Sequence, residues 1–254
     1  GHPADLKTIR ALTKRHVLLM IEDDCHALGA LDRGMRVGCV SDMTVFSFHP
    51  VKHITTGEGG MVTTDNPNLA RRLRLFRNHG IDSDPRLREA NGSWYYEMVA
   101  LGYNYRLTDI ACALGLSQLR KLDAKLGRRR AIAERYSRVL RGLPGVQVPT
   151  VRAETAPAWH LYPIRLNVER LRADRAEVFR ALRAENIGVN VHYLPVHRHP
   201  YYQERFGYRG GEYPVAEGAY ERLISLPIFD GMAEQDVDDV IQAVNKVLGY
   251  YARS

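Results

Sequence analysis

The stretch F-S-F-H-P-V-K-H-I-T-T-G-E-G-G-M, Phe46 to Met61, sets one lysine between an apolar run and a glycine-rich turn. The run Thr44–Phe48 predicts a strand. Pro50 then bends the chain, and Gly57, Gly59 and Gly60 lead it round into a second predicted strand, Met61–Thr64. Lys52 is therefore delivered to a fixed place. An amine held in that way, partly desolvated and close to other charge, can have its pKa lowered enough to act as a nucleophile, and a carbonyl partner then gives a Schiff base. A surface lysine in a hairpin loop needs none of this, so companion residues must decide between the two readings.

Working upstream, I-E-D-D-C-H-A-L-G-A (21–30) follows an apolar run, Val17–Ile21, that reads as a buried strand over 17–22. Asp23 then sits at the carboxyl end of that strand, where open α/β sheets gather their functional groups. Ser47, shortly before Lys52, offers a hydroxyl to an anion, and His26 can donate or accept beside a phenolic oxygen. Singly, each has an ordinary explanation: a strand-end cap, a turn hydroxyl, a satisfied core histidine. Together, Asp23, Ser47 and Lys52 suit pyridoxal 5'-phosphate (PLP). The lysine makes the covalent link, the aspartate keeps the pyridine nitrogen protonated so that the ring is an electron sink, and the serine holds the phosphate.

Composition bounds the rest. At 254 residues, with 45% apolar and 26% charged, the chain is an ordinary globular one with room for one large or two modest domains. No apolar run is long enough to span a bilayer and no signal-peptide pattern is present, so no membrane partner is expected. Cys25, Cys39 and Cys112 form no C-x-x-C pair, which argues against a disulfide framework or zinc knuckle and fits a reducing cytoplasm. The formal charge of +7 is spread along helical stretches such as 70–77 and 128–141, as solvated faces. No nucleic-acid-binding pattern accompanies it, and nucleic acid is set aside as a partner.

A first helix is predicted over about Asp5–His16, leading at once into the strand at 17–22, so the chain reads as N-terminally truncated, with partner strands upstream. A helix capped by Asn66, with Pro67 in its first turn, runs to Gly80. The stretch Ile81–Tyr103 reads as a long functional or interfacial loop, and Thr108–Arg141 as one long helix bent near Gly127. The domain boundary is placed inside that helix, giving 1–125 and 126–254. Beyond it come a strand (about His160–Leu166), a helix with an Asp174–Glu177 capping box, a strand (Gly188–His192), a helix (Pro214–Leu223) and a last helix (Glu234–Leu248) with a regular apolar stripe. His192, His197 and His199 lie close together in sequence but lack cysteine or carboxylate companions, and no metal is expected. Asn190, His192 and Tyr193 suit a stacking and hydrogen-bonding surface for a sugar or uracil.

The motifs I-E-D-D-C-H-A-L-G-A, F-S-F-H-P-V-K-H-I-T-T-G-E-G-G, R-N-H-G-I and Y-N-Y-R-L-T-D-I, with L-S-Q-L-R-K-L-D at 116–123 and I-S-L-P-I-F at 224–229, resemble those of the DegT/DnrJ/EryC1/StrS family of nucleotide-sugar aminotransferases. The resemblance covers essentially the whole chain. It implies the PLP-dependent transferase fold type I, like aspartate aminotransferase: an α/β large domain, incomplete here, plus a C-terminal α+β small domain. It implies a homodimer with active sites at the interface, and ping-pong transamination of a nucleotide-sugar substrate with glutamate as donor and 2-oxoglutarate as its product. By position, Lys52 is the Schiff-base lysine and proton carrier, Asp23 the partner of the pyridine nitrogen, and His26 the neighbour of the ring hydroxyl. Ser47 holds the phosphate, and Asn104 reaches the phosphate of the neighbouring subunit's cofactor. Dehydratases of the family carry histidine in place of the lysine, so Lys52 reads as a transaminase residue. The run Asn186–Tyr202 with Pro214-Val215-Ala216-Glu217 most resembles the subgroup that makes UDP-4-amino-4,6-dideoxy-N-acetyl-L-altrosamine. The phosphate-cradling turn and the stacking aromatic of the family lie upstream of Gly1, which leads to the expectation that this chain alone binds cofactor weakly.

Overall fold

The computed structural model describes residues 1–82 and 85–253, in two compact units. The first comprises Gly1–Asp123 with Glu154–Ala158, and the second Ala124–Ala153 with the residues from Trp159 onward.

In the first unit, α1 (Leu6–Arg15) starts where the Asp5 side chain accepts the Thr8 N–H, a cap that satisfies one orphan donor of the first turn. The strand expected over 17–22 is reduced to β1 (Ile21–Asp23). Val17 adopts φ 55° and the Leu18 N–H returns to the Thr13 carbonyl, so this backbone winds round the helix end instead of joining the ladder. Val17, Leu18 and Leu19 are exposed, not buried. Pairing begins at Ile21, opposite Met43, where Asp42 holds the Met20 N–H and a two-pronged Arg10.

The sheet that matters has the order β1, β4 (Met43–Ser47), β5 (Gly60–Thr63), with β1 parallel and β5 antiparallel to β4. Alternation along these strands divides residues between two faces. Glu22, Thr44 and Phe46 are buried on one, while Asp23, Val45, Ser47 and Val62 share the other by register. A small second sheet joins β2 (Leu31–Asp32), β3 (Met35–Arg36) and β7 (Thr155–Ala156). Its β2–β3 hairpin turns on Arg33-Gly34, both at positive φ, the geometry that two-residue hairpins favour.

α2 (Pro67–Arg77) begins as expected, with Asn66 accepting the Asn68 and Leu69 N–H groups. The stretch read as a loop over 81–103 contains α3 (Pro85–Ala90), and its residues Ser83 and Asp84 lie outside the described residues. The single helix expected over 108–141 is two, α4 (Asp109–Leu119) and α5 (Leu122–Leu140). The break falls at Arg120-Lys121, where the Lys121 N–H closes a tight turn on the Gln118 carbonyl, and not near Gly127, which continues through α5.

The second unit is built on an antiparallel sheet, β6 (Val146–Gln147), β8 (Tyr162–Leu166) and β9 (Leu223–Leu226), with β8 central. Ile132, Tyr136 and Leu140 of α5 pack with Val178 and Leu182 of α6 (Arg175–Ala184) and with the stripe Val237, Val240, Ile241, Val244 and Leu248 of α9 (Glu234–Tyr251). The Asp174–Glu177 capping box is present. Two expectations fail here. Gly188–His192 is no strand, since only Asn190 pairs, in an isolated bridge with Ser225. The helix expected over Pro214–Leu223 stops at Tyr220, as α8 (Pro214–Tyr220), because Leu223–Leu226 buries three of its four residues as β9 against β8. A further helix, α7 (Pro200–Phe206), ends on the left-handed Gly207. Among the described residues, no helix is long and apolar enough to cross a membrane.

Candidate active site

The site begins at the carboxyl edge of the β1–β4 pair. Asp23 ends β1 opposite Val45, and the parallel register puts Ser47 two residues further along β4 on the same face. Just past Asp23 the chain turns sharply: the Asp24 N–H bonds the Val45 carbonyl and the Ala27 N–H bonds the Asp24 carbonyl. This turn brings Cys25 back, so that its N–H donates to Asp23 Oδ1 at 3.1 Å, while its thiol points to the Val45 carbonyl at 4.0 Å.

Lys52 follows from the other strand. After Phe48 the chain makes a turn closed by the Lys52 N–H on the His49 carbonyl, and the next two residues are buried. His53 holds the Ala158 carbonyl through Nε2 at 2.9 Å, and Ile54 packs inward. Lys52, between this turn and the two buried anchors, is itself half-buried. The turn beyond is tied to itself: Thr55 Oγ1 donates to the Phe48 carbonyl, Thr56 Oγ1 to the Glu58 carbonyl, and the Phe48 N–H reaches the Gly59 carbonyl. The glycines have a steric reason. A Cβ on Gly59, at φ 150°, would stand 2.8 Å from Leu107 Cδ2, and one on Gly115 of α4 would stand 2.9 Å from Thr56 Cγ2, so α4 is seated on this turn.

Electrostatics link the pieces. Burial pushes the Lys52 ammonium below the ordinary lysine range, while Cys25 and Asp23 act against that shift. Asp23 is held below the usual carboxylate range, first by the Cys25 thiol and its N–H, then by the charges of His26 and Lys52. A depressed amine beside a carboxylate kept ionised is a nucleophile with a permanent counter-charge. Just past the end of the same strand, burial and the neighbouring Glu22 push Asp24 up to about 7. Glu22 in turn accepts a hydrogen bond from Ser41 Oγ at 2.7 Å. Sequence reading missed both Asp24 and Cys25; the signal available was the unbroken acidic run E-D-D, whose successive members Glu22 and Asp23 must face opposite ways in a strand.

Asn104 is exposed. It sits on a segment bridged to the end of α2, with Asn78 opposite Asn104, and with the Tyr103 and Tyr105 N–H groups on the Phe76 and Arg77 carbonyls. The N-cap of α4 is Thr108, whose Oγ1 accepts the Ala111 N–H, so Asn104 has no capping duty there. In the second unit, His192 Nδ1 lies 2.8 Å from the buried Ser225 Oγ, and burial holds its imidazole below the usual range. Tyr193 stands edge-on to His192 and is exposed, as is Asn190. His197 is bonded to Glu217 at 2.9 Å.

The residues at the β1–β4 edge fit PLP by their chemistry: an amine for its aldehyde, an anion for its pyridinium and a hydroxyl for its phosphate.

The DegT/DnrJ/EryC1/StrS aminotransferase family matches residues 1–245. The spore coat polysaccharide biosynthesis protein SpsC of Bacillus subtilis is 41% identical over 250 residues, covering 98% of this chain and 64% of that protein. Among solved structures, Helicobacter pylori PseC, an aminotransferase involved in the biosynthesis of pseudoaminic acid, superposes with a TM-score of 0.88 at 30% identity over 98% of this chain and 64% of that one. The putative sugar aminotransferase Spr1654 of Streptococcus pneumoniae, in its PLP form, gives a TM-score of 0.83 at 27% identity over 98% and 66%. The chain spans about 64% of the length of the curated relatives it matches.

Proposed function

The chain belongs to the DegT/DnrJ/EryC1/StrS aminotransferase family, whose fold is the PLP-dependent type I fold, and from that premise we propose that it serves the transamination of a nucleotide-linked 4-keto-6-deoxy sugar with glutamate as amino donor. One observation carries the reading: Lys52, its amine depressed by burial, lies within charge range of Asp23, which is kept ionised at the carboxyl edge of a parallel strand pair.

Each residue has a task of its own. Lys52 Nζ would hold the cofactor's aldehyde carbon and then carry a proton to and from the substrate carbon. Asp23 would hold the proton on the pyridine nitrogen. His26 would stand beside the ring hydroxyl, and Ser47 Oγ would take a phosphate oxygen. When bound, the cofactor supplies an electron sink for charge developing at the carbon that bears the nitrogen. Asn104, exposed on its braced segment, would reach the phosphate site of a second copy in a homodimer. The second unit would contribute Asn190, His192 and Tyr193 to the sugar nucleotide. His192, held by Ser225 and kept neutral, would act as a hydrogen-bonding group and not as a cation. The likeness to PseC, an aminotransferase involved in the biosynthesis of pseudoaminic acid, supports a sugar substrate; a UDP-linked N-acetylhexosamine, in preference to a dTDP- or GDP-linked sugar, rests on the subgroup resemblance of the run Asn186–Tyr202. The reaction's place is the cytoplasm.

Borohydride reduction of the chain loaded with PLP, followed by peptide mass analysis, tests the reading. A reduced pyridoxyl adduct on Lys52, absent in Lys52→Ala, is expected; a chain that takes up no adduct is a silent homologue and overturns it. A panel of UDP-, dTDP- and GDP-linked keto sugars then decides the carrier.

A further inference from the structure

The turn that carries Lys52 is closed by bonds among its own residues. The Phe48 N–H reaches the Gly59 carbonyl, the Thr56 N–H and Thr55 Oγ1 share the Phe48 carbonyl, and the Lys52 N–H bonds the His49 carbonyl. The next side chain ties the Lys52 end of this turn to the rest of the unit. His53, 2% exposed, puts Nε2 2.9 Å from the carbonyl oxygen of Ala158, 105 residues further along the chain. A carbonyl oxygen only accepts, so Nε2 carries the hydrogen.

Ala158 ends a strap, Glu154–Ala158, that belongs to the first unit although the residues before and after it in sequence belong to the second. The strap is pinned along its length. The Arg33 N–H bonds the Glu154 carbonyl at 2.8 Å, and Thr155 and Ala156 pair with Asp32 and Leu31 as β7 against β2. Pro157 has no N–H to place, and the Ala158 N–H bonds the Gly1 carbonyl at 2.9 Å. The Ala158 carbonyl is therefore a fixed acceptor, and the buried imidazole reaches it from the residue next to Lys52.

We propose that His53 is a positioning residue for Lys52: by fastening the turn to the 154–158 strap, it fixes the lysine backbone before any cofactor arrives. The inference rests on the reading of Lys52 as the residue that holds the cofactor's aldehyde carbon. A turn closed only on itself would sample several positions, and ordering it on binding would cost affinity. Any large apolar side chain at position 53 would fill the space; the directed N–H is what histidine adds.

The test is competitive acetylation of the cofactor-free full chain over a range of pH. It reads the titration midpoint of Lys52 in the wild type, His53→Leu and His53→Gln, with the exposed Lys7 and Lys14 as controls whose labelling should not change. Leucine keeps the bulk without the N–H, and the glutamine amide can place an N–H near that of the imidazole. Burial is the first influence on the Lys52 amine, opposed by Cys25 and Asp23, and the amine of Gly1 also faces it. Release of the turn should hydrate the Lys52 amine and raise its proton affinity by at least about threefold, with glutamine reversing most of the change. PLP affinity should fall about five- to thirtyfold in His53→Leu, the order of re-fixing one residue's backbone. A role in stability alone would lower the melting temperature and leave both readings in place. A folded His53→Leu with the wild-type Lys52 midpoint therefore overturns the proposal, as does one with the wild-type PLP affinity. Should His53→Leu not fold, His53→Asn, whose shorter amide stops short of Ala158, is read by the same outcomes. A wild type that takes up no PLP sinks the premise alone, because the Lys52 midpoint still reports how the turn is held.

Discussion

Gly102 crosses Gly80 so closely that a Cβ on Gly102 would lie 2.2 Å from the Gly80 nitrogen, and a Cβ on Gly80 would lie 1.6 Å from the Ala100 carbonyl oxygen. This backbone-on-backbone crossing joins the R-N-H-G turn to the segment that carries Asn104. It explains Gly102, just ahead of the Y-N-Y-R-L-T-D-I motif, by contact, and the motif glycine Gly80, at φ 69°, by contact and by conformation.

Gly102→Ala should therefore destabilise the first unit by about 2–4 kcal/mol, since neither backbone can retreat without unpairing its neighbours. The contrast is Gly127→Ala, in the interior of α5, where nothing lies within 4 Å of the new methyl. That change should stabilise by about 0.5–1 kcal/mol through helix propensity alone. Denaturant melts of the two variants check both signs.

Asp23 and Lys52 make a prediction with two opposing parts. Asp23 raises the affinity of Lys52 for its proton, so Asp23→Asn should free more of the amine near neutral pH. Acylation of Lys52 should be faster in that variant, while PLP affinity falls because the pyridinium loses its anion. A parallel loss of both would show that Asp23 serves only to hold the strand end.

In the first unit the placement of Asp23 and Ser47 was legible, because they lie in short motifs: both fall at strand ends on one face of the sheet, as their positions in the sequence imply. What escaped was long-range. The exposure of Val17–Leu19 contradicts their apolar character, because where the backbone pairs, not hydropathy, decides which residues form a ladder. The split between α4 and α5 has no glycine or proline to announce it. Leu223–Leu226 was absorbed into a helix since a short apolar run reads equally as strand or helix until its partner β8 is known. Cys25 was missed for a different reason: its partner lies two residues away, and only the turn after β1 brings them together.

Arg129 tests the second unit. It is buried, and its Nη1 donates to the Trp159 and Ile228 carbonyls at 3.0 and 2.9 Å. Burial lowers its proton affinity, offset by the charge of Asp230. Arg129→Met keeps the stem volume but leaves two buried carbonyls without this donor, and should cost on the order of 2–4 kcal/mol. Arg129→Lys should recover only part, since one ammonium cannot reproduce the planar fork. Thermal melts of both variants, with binding of PLP to the first unit unchanged, are the measurement.

The His197–Glu217 pair predicts a pH dependence of known sign. Glu217 Oε1 accepts from His197 Nε2 at 2.9 Å and, with Oε2, from the Gly211 N–H at 2.8 and 3.0 Å, which fastens the 207–213 loop to α8. Tyr213 packs on the imidazole, and Tyr208 and Glu212 complete the surroundings. His197 is the first cause holding Glu217 below its ordinary 4.5. A carboxylate with a folded pKa below its unfolded one stabilises the fold above the unfolded value, and that contribution disappears as the pH drops through the folded value, because the unfolded chain then binds more protons. The wild type should therefore melt above Glu217→Gln at neutral pH, and the gap should close as the pH falls from 4.5 towards the folded value. Hydrogen exchange at the Gly211 amide should follow the same course, and His197→Ala should shift the onset to higher pH. A gap that stays constant down to about pH 3 would mean that Glu217 acts by packing and not by charge.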